Sequence, residues 1–282
     1  MTRNEVLLSM FDHSGIGLEI GAGFNPLLPK TAGYRVETLD HATADELRDK
    51  YRNDPNVDVT RIEDVDFVAD GRTIIEVVGK PAHYDYIVAS HVIEHTPDML
   101  GFLKDCETLL KQAGILVLAV PDKRRCFDLL QPLTSTGMIL QSHAERRVRH
   151  PLSTLFDYIA YNVLGDGAGG WNKGSPGRLT FAHDLTMAYD FFHAMQSSSE
   201  YVDSHAWRFT PSSFRLIVND LWVIGEIASR EHAFHHSDIH EFYIALSRDG
   251  RGCPFDRLTL AKMIIGEYQE IILGPEDLAS CK

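Results

Sequence analysis

The stretch Gly17-Leu18-Glu19-Ile20-Gly21-Ala22-Gly23, followed by Val36-Glu37-Thr38-Leu39-Asp40, constrains this chain more than any other part of it. It spells a buried strand, a glycine turn, and a second strand that ends in an acid. In an open parallel sheet, that order sets a backbone-lined cradle beside a carboxylate able to grip a ribose. Only positions 24–35 separate Gly23 from the second strand, and Pro26 and Pro29 lie among them. A long pyrophosphate-binding helix does not fit there, and Pro26 stands where a dinucleotide fingerprint has its third glycine. A nucleoside cofactor is expected, and NAD is disfavoured.

The rest of the chain supplies the sheet. Ile16–Ile20 and Arg35–Leu39 read as the first two strands, Asp66–Asp70 as the third, Tyr84–Ser90 as the fourth and Gly114–Val120 as the fifth. Between the last two, Thr96 is expected to cap a helix with Pro97 at its first position. Its buried face is set by Met99, Phe102, Leu103, Cys106, Leu109 and Leu110. Alternating strands and helices predict a doubly wound α/β sheet, with ligands at the carboxyl ends of its strands. Gly21, Asp40, Asp70, Ser90-His91 and Pro121-Asp122 all fall at such ends and are expected to converge.

After Asp122 the rhythm breaks. Residues 123–202 are expected to form a mainly helical insertion around the loop Gly165–Trp171, since a structureless connection of that length is improbable. The sheet domain then comprises residues 1–122 and 203–250, followed by a C-terminal helical segment over 251–282. Thr210-Pro211 opens a helix to about Leu221. Trp222–Ser229 and Phe242–Ser247 read as two strands joined by a polar hairpin, and an amphipathic helix runs from about Asp256 to Ile272. The histidines His232, His235, His236 and His240 fall in that hairpin without a supporting ligand set, and no metal is expected.

Charge and cysteine usage narrow the partners. The 282 residues carry a net charge of −13, which argues against a nucleic-acid partner. Cys106, Cys126, Cys253 and Cys281 have neither metal nor redox spacing, as expected for a reduced, cytoplasmic chain. No apolar run is long enough for a membrane span, and the N-terminus lacks a signal-peptide segment. Against the overall balance, Lys123, Arg124, Arg125, Arg146, Arg147 and Arg149 outnumber Asp128 and Glu145 in the first part of the insertion. An anionic acceptor at Asp122, Lys123 and Arg124 is therefore expected, weighed against arginines that merely pair with surplus acids.

Four passages, Leu18–Gly23, Val36–Asp40, Tyr84–His95 and Leu109–Pro121, together resemble the class I S-adenosylmethionine-dependent methyltransferases. Ala89–Asp98, Val120–Arg124, Cys126–Asp128 and His205–Pro211 are similar to a bacterial subgroup described alongside glycan-modifying enzymes. The resemblance covers about residues 16–128 and 205–248. It implies a Rossmann-like sheet of seven strands, mostly parallel with one antiparallel strand, and S-adenosyl-L-methionine as cofactor. It implies that Gly21, Ala22 and Gly23 let the backbone approach the cofactor and that Asp40 takes its ribose hydroxyls. Asp70 and Gly71 match the adenine position, Ser90, His91 and Glu94 line the cofactor, and Glu19 orders the glycine loop or the cofactor's amino group.

A sulfonium methyl is already activated, so the protein's task is alignment and, for a hydroxyl acceptor, removal of a proton. His95 and His205 are the candidate bases, with His91 and Asp122 behind them. The expected activity is O-methylation of a carbohydrate or related small acceptor, with N-methylation as the nearest variant. The alternatives are an NAD-dependent reductase or epimerase, and a methyltransferase-like interaction module without activity.

Overall fold

A computed structural model describes residues 1–174 and 176–269. Its first half runs α1 (Arg3–Leu8), β1 (Gly17–Ile20), β2 (Val36–Asp40), α2 (Ala44–Tyr51), β3 (Phe67–Val68), α3 (Ile74–Val78), β4 (Tyr84–Ser90), α4 (Met99–Leu109) and β5 (Leu110–Pro121). Next come α5 (Thr136–Ala144), α6 (Leu152–Ala160), β6 (Val163–Gly165), β7 (Leu179–Phe181) and α7 (Leu185–Met195). The chain returns through α8 (Pro211–Val223), β8 (Arg230–His235), β9 (Glu241–Ser247) and α9 (Arg257–Gln269).

The main sheet has seven strands in the order β3-β2-β1-β4-β5-β9-β8, and β9 runs opposite to the other six. Strand order reverses between β1 and β4, which opens a crevice above their carboxyl ends. The central strands bury both faces, as a covered parallel sheet requires. On β5, Leu116, Leu118 and Val120 join the core under α4 and α8, while Val117 and Ala119 join the opposite core under α1. Gly17 is glycine because the ring of Tyr86 on β4 fills the space a Cβ would need. Among the described residues, no helix is long and apolar enough to cross a membrane.

Several boundaries differ from the sequence reading. The third strand shrinks to Phe67–Val68. Asp98, not Thr96, caps α4, because its carboxylate accepts from Gly101 N–H while the Thr96 hydroxyl turns back to Ile93 O. Strand β5 follows α4 without a break, so Gly114 lies inside a strand. Trp222 and Val223 close α8 rather than start a strand, because the helix persists until Gly225, whose φ of 80° ends it. The histidine run Glu231–His235 is therefore β8 itself, not a hairpin.

The span between β5 and α8 is mainly helical but also holds the antiparallel pair β6–β7. Its first helix, α5, contributes Ile139 to the main core, whereas α6 and α7 pack on each other. Helix α9 packs on α8. Positions 270–272 of the expected last helix, and Cys281, lie outside the described residues.

Candidate active site

The glycine turn is built from backbone. Gly21 has φ 72°, and a Cβ there would lie 2.5 Å from Val92 Cγ2, so the turn rests against the segment that follows β4. Glu19 is buried and accepts from the amides of Leu27 (2.7 Å) and Leu28 (3.0 Å). Burial pushes its carboxyl up to about 7 despite those two bonds. Glu19 thus braces the far limb of the loop.

Asp40 closes the other side of this turn. Its Oδ2 accepts from Gly23 N–H (2.9 Å) and its Oδ1 from His41 N–H (2.7 Å). Burial alone would raise this carboxyl, but the bonds from His41 and Gly23 hold it below its ordinary value. Ala22, Gly23, Pro26 and Asp40 share a small pocket. Between β1 and β2 the only helical segment is the 3-10 turn Lys30–Ala32, so no α-helix N-terminus follows the glycine turn as pyrophosphate binding demands. A glycine turn that presents bare backbone, with no room for a Cβ at Gly21, next to a buried anionic carboxylate, fits a nucleoside whose ribose hydroxyls donate. Asp70 and Gly71 follow β3, just past Ala69, whose N–H donates to Asp40 O; Asp70 is exposed and holds the side chain of Arg72, and Gly71 turns the chain at φ 89°.

The other wall of the crevice is polar and histidine-rich. Beyond Val92, the 3-10 turn Ile93–His95 is anchored by buried Ile93. The extended segment 203–209 lies against it, with Ala206 and Trp207 N–H both donating to Glu94 O and Trp207 Nε1 to Thr96 O. This docking brings His205 to His95, with ring centroids 4.6 Å apart. The Glu94 side chain is fully buried, and neither of its carboxylate oxygens has a hydrogen-bond partner. Its Oε1 lies 3.5 Å from His91 Nδ1, 3.8 Å from His95 Nε2 and 4.0 Å from His205 Nε2. Burial alone would raise Glu94; His91, His205 and His95 together hold it lowered.

Each of these rings is held from behind. His95 Nδ1 meets Asp203 (2.7 Å), and His205 Nδ1 meets Asp128 (2.5 Å). His91, at φ 53°, places Nε2 2.8 Å from Glu241 Oε2. Glu241 also accepts from Arg3 and from the Tyr243 hydroxyl, and the same Arg3 reaches the Ser90 hydroxyl. Burial would raise Glu241, but His91 and Arg3 outweigh it and bring its carboxyl down to about 2. Against the cost of burial, Glu241 and Glu94 lift the His91 imidazole to about 9. At neutral pH His91 is therefore a cation in an ion-pair network, which makes it a poor base.

The basic run does not provide the anion site the sequence suggests. Lys123 is buried, with Nζ donating to Leu129 O. The Arg124 guanidinium grips both oxygens of Asp122, and Arg125 holds Ser237 O and Ile239 O. Arg125, together with the Asp122 N–H that donates to His240 O, ties the end of β5 to the β8–β9 loop. The buried cation near the histidines is instead Arg208, whose Nε and Nη2 have no hydrogen-bond partner and whose Nε lies 3.8 Å from Asp128. Sequence reading missed Arg3, Asp128, Asp203, Arg208 and Glu241 as site residues. The signals available were the proximity of Asp203 to His205 and the passages Cys126–Asp128 and His205–Pro211, which contain Asp128 and Arg208.

A methyltransferase domain family model matches residues 4–164. Among curated proteins, no sequence matches significantly. Solved structures with similar folds include a Rhodobacter sphaeroides protein described as a zinc-dependent alcohol dehydrogenase, at 13% identity and TM-score 0.46, covering 87% of this chain and 89% of that one. Another is an S-adenosylmethionine-dependent methyltransferase from Thermotoga maritima, at 10% identity and TM-score 0.41, covering 87% and 88%. A third is the CcbJ methyltransferase from Streptomyces caelestis, at 12% identity and TM-score 0.44, covering 86% and 93%.

Proposed function

The chain belongs to the methyltransferase domain family, and we propose that it methylates a hydroxyl oxygen on a small, glycan-like acceptor that carries an anionic group. S-adenosylmethionine supplies an electrophilic methyl on a sulfonium, so the protein needs no covalent intermediate. Gly21, Ala22 and Gly23 give the cofactor backbone rather than side chains to lie against, and Asp40 offers its carboxylate to the ribose. Glu19 keeps the loop in that shape. Ser90 ends the adjacent strand and His91 and Glu94 follow it, where they line the same crevice.

The observation that carries the reading is that a Cβ on Gly21 would collide with Val92, so the glycine turn lies beside the segment that leads to Glu94. A hydroxyl arriving beside Glu94, His95 and His205 meets imidazole nitrogens whose opposite edges are fixed by Asp203 and Asp128. The Nε2 atoms of His95 and His205 are the proton-accepting positions. Arg208 supports an anionic acceptor, because a buried guanidinium with two nitrogens that lack a hydrogen bond is completed by a carboxylate or phosphate.

Calorimetry with S-adenosylmethionine, S-adenosylhomocysteine and NAD, then labelled methyl transfer to sugars, nucleotide-sugars and phosphorylated acceptors, tests this. The expected result is binding of the two sulfur nucleosides and an O-methylated product. Binding of NAD alone would overturn the cofactor, and label found only on nitrogen would overturn the acceptor class.

A further inference from the structure

We propose that Glu94, His95 and His205 hold a first-row divalent metal ion, contrary to the metal-free site the sequence suggests. The three side chains offer ligand atoms that all lie within 4.8 Å of one another. Two neutral imidazole nitrogens and one carboxylate oxygen form a donor set that suits zinc, manganese or iron rather than calcium. Ligand bonds of about 2.0–2.2 Å place such atoms roughly 3.0–3.5 Å apart. The present separations from Glu94 Oε1, 3.8 and 4.0 Å, need only a small inward rotation of the two rings.

Two independent observations point to a cation. The first is Glu94 itself: its side chain has no exposed surface, neither oxygen has a well-formed hydrogen bond, and its nearest cationic neighbour, His91 Nδ1, stands 3.5 Å away, which leaves a buried carboxylate only partly compensated. A metal ion between it and the two rings removes that deficit. The second is the support behind the ligands. Asp203 on His95 Nδ1 and Asp128 on His205 Nδ1 fix each tautomer and turn each Nε2 toward Glu94, the arrangement in which metal-binding histidines are held. Asp128 is itself oriented by the Gln131 amide at 2.8 Å.

Three protein ligands leave open positions. Where the inference touches function it rests on the methyl-transfer reading: an acceptor hydroxyl bound at an open position becomes more acidic, which relieves His95 and His205 of the proton. Metal binding itself does not depend on that reading.

The test uses the full chain freed of metal by chelator dialysis. Zinc and manganese are titrated by calorimetry, bound metal is counted by mass spectrometry, and cobalt is added to read the visible absorption of its low-symmetry sites. We expect one ion per chain and a cobalt spectrum. Affinity should fall at least about 100-fold in His95→Ala and His205→Ala, and about 10–100-fold in Asp128→Asn. His232→Ala on β8 should bind as the parent does. Circular dichroism and S-adenosylmethionine binding show that each variant is folded. Absence of stoichiometric binding by the parent, or equal binding by the His95→Ala/His205→Ala double variant, overturns the site. Metal binding without S-adenosylmethionine binding would sink the methyl-transfer reading and leave the metal site standing; the converse sinks the metal site alone.

Discussion

The two walls of the crevice are built on opposite terms. Around the glycine turn every carboxylate already has its donors: Glu19 takes Leu27 and Leu28, and Asp40 takes Gly23 and His41. On the facing wall, buried polar atoms wait: both oxygens of Glu94, and Nε and Nη2 of Arg208, have no well-formed hydrogen bond. The first wall is a finished mould whose shape does not depend on its ligand. The second is completed only by what enters it, and a buried polar group left open is a cost that proteins retain where chemistry or binding uses it.

The largest test strikes the mould. In Gly21→Val, a side chain must occupy space next to Val92 at a φ that β-branched residues avoid, so S-adenosylmethionine affinity should drop by about 100-fold or more. Calorimetry on the folded variant decides it, and unchanged affinity would mean that the cradle does not bind the cofactor.

The next test strikes the open wall. Arg208→Gln should raise KM for a phosphorylated or carboxylated acceptor about 10–100-fold, in line with the loss of a charge-assisted contact, while cofactor affinity stays put. Equal losses for neutral and anionic acceptors would remove Arg208 from acceptor recognition.

The smallest effect concerns the rim that joins the walls. Glu241 has its carboxyl lowered to about 2 from 4.5, so its stabilising effect is full above pH 4.5 and is lost as pH falls toward 2. That shift corresponds to at most about 3 kcal/mol. Glu241→Gln should therefore be less stable at neutral pH and lose less stability than the parent between pH 4.5 and 2. Parallel unfolding curves across that range would show the pair to be energetically idle.

This contrast also explains what the sequence made legible. The cradle is local: Glu19 through Asp40 lie within two strands and one loop, so spacing and residue type suffice to read them. The sheet was legible too, because β4 and β5 are apolar on both faces. The acceptor wall draws Glu94 and His95 from one turn, Asp128 from the start of the long excursion, and Asp203, His205 and Arg208 from its end. Only tertiary docking brings them together, through the amides of Ala206 and Trp207 on Glu94 O. The same gap misdirected the reading of Lys123 and Arg124. Their charges were visible in sequence, but not their burial against Leu129 O and Asp122.

The antiparallel strand β9 carries one more consequence, for the order of events during synthesis. Strand β5 ends at Pro121, yet its outer partner begins only at Glu241, after the whole helical excursion has been made. Until then the growing chain presents a long apolar strand edge with nothing beside it, the kind of edge that recruits other chains. Fragments that stop before residue 241 should therefore be insoluble even though they contain the entire glycine cradle. A soluble minimal version of this protein has to reach past Ser247.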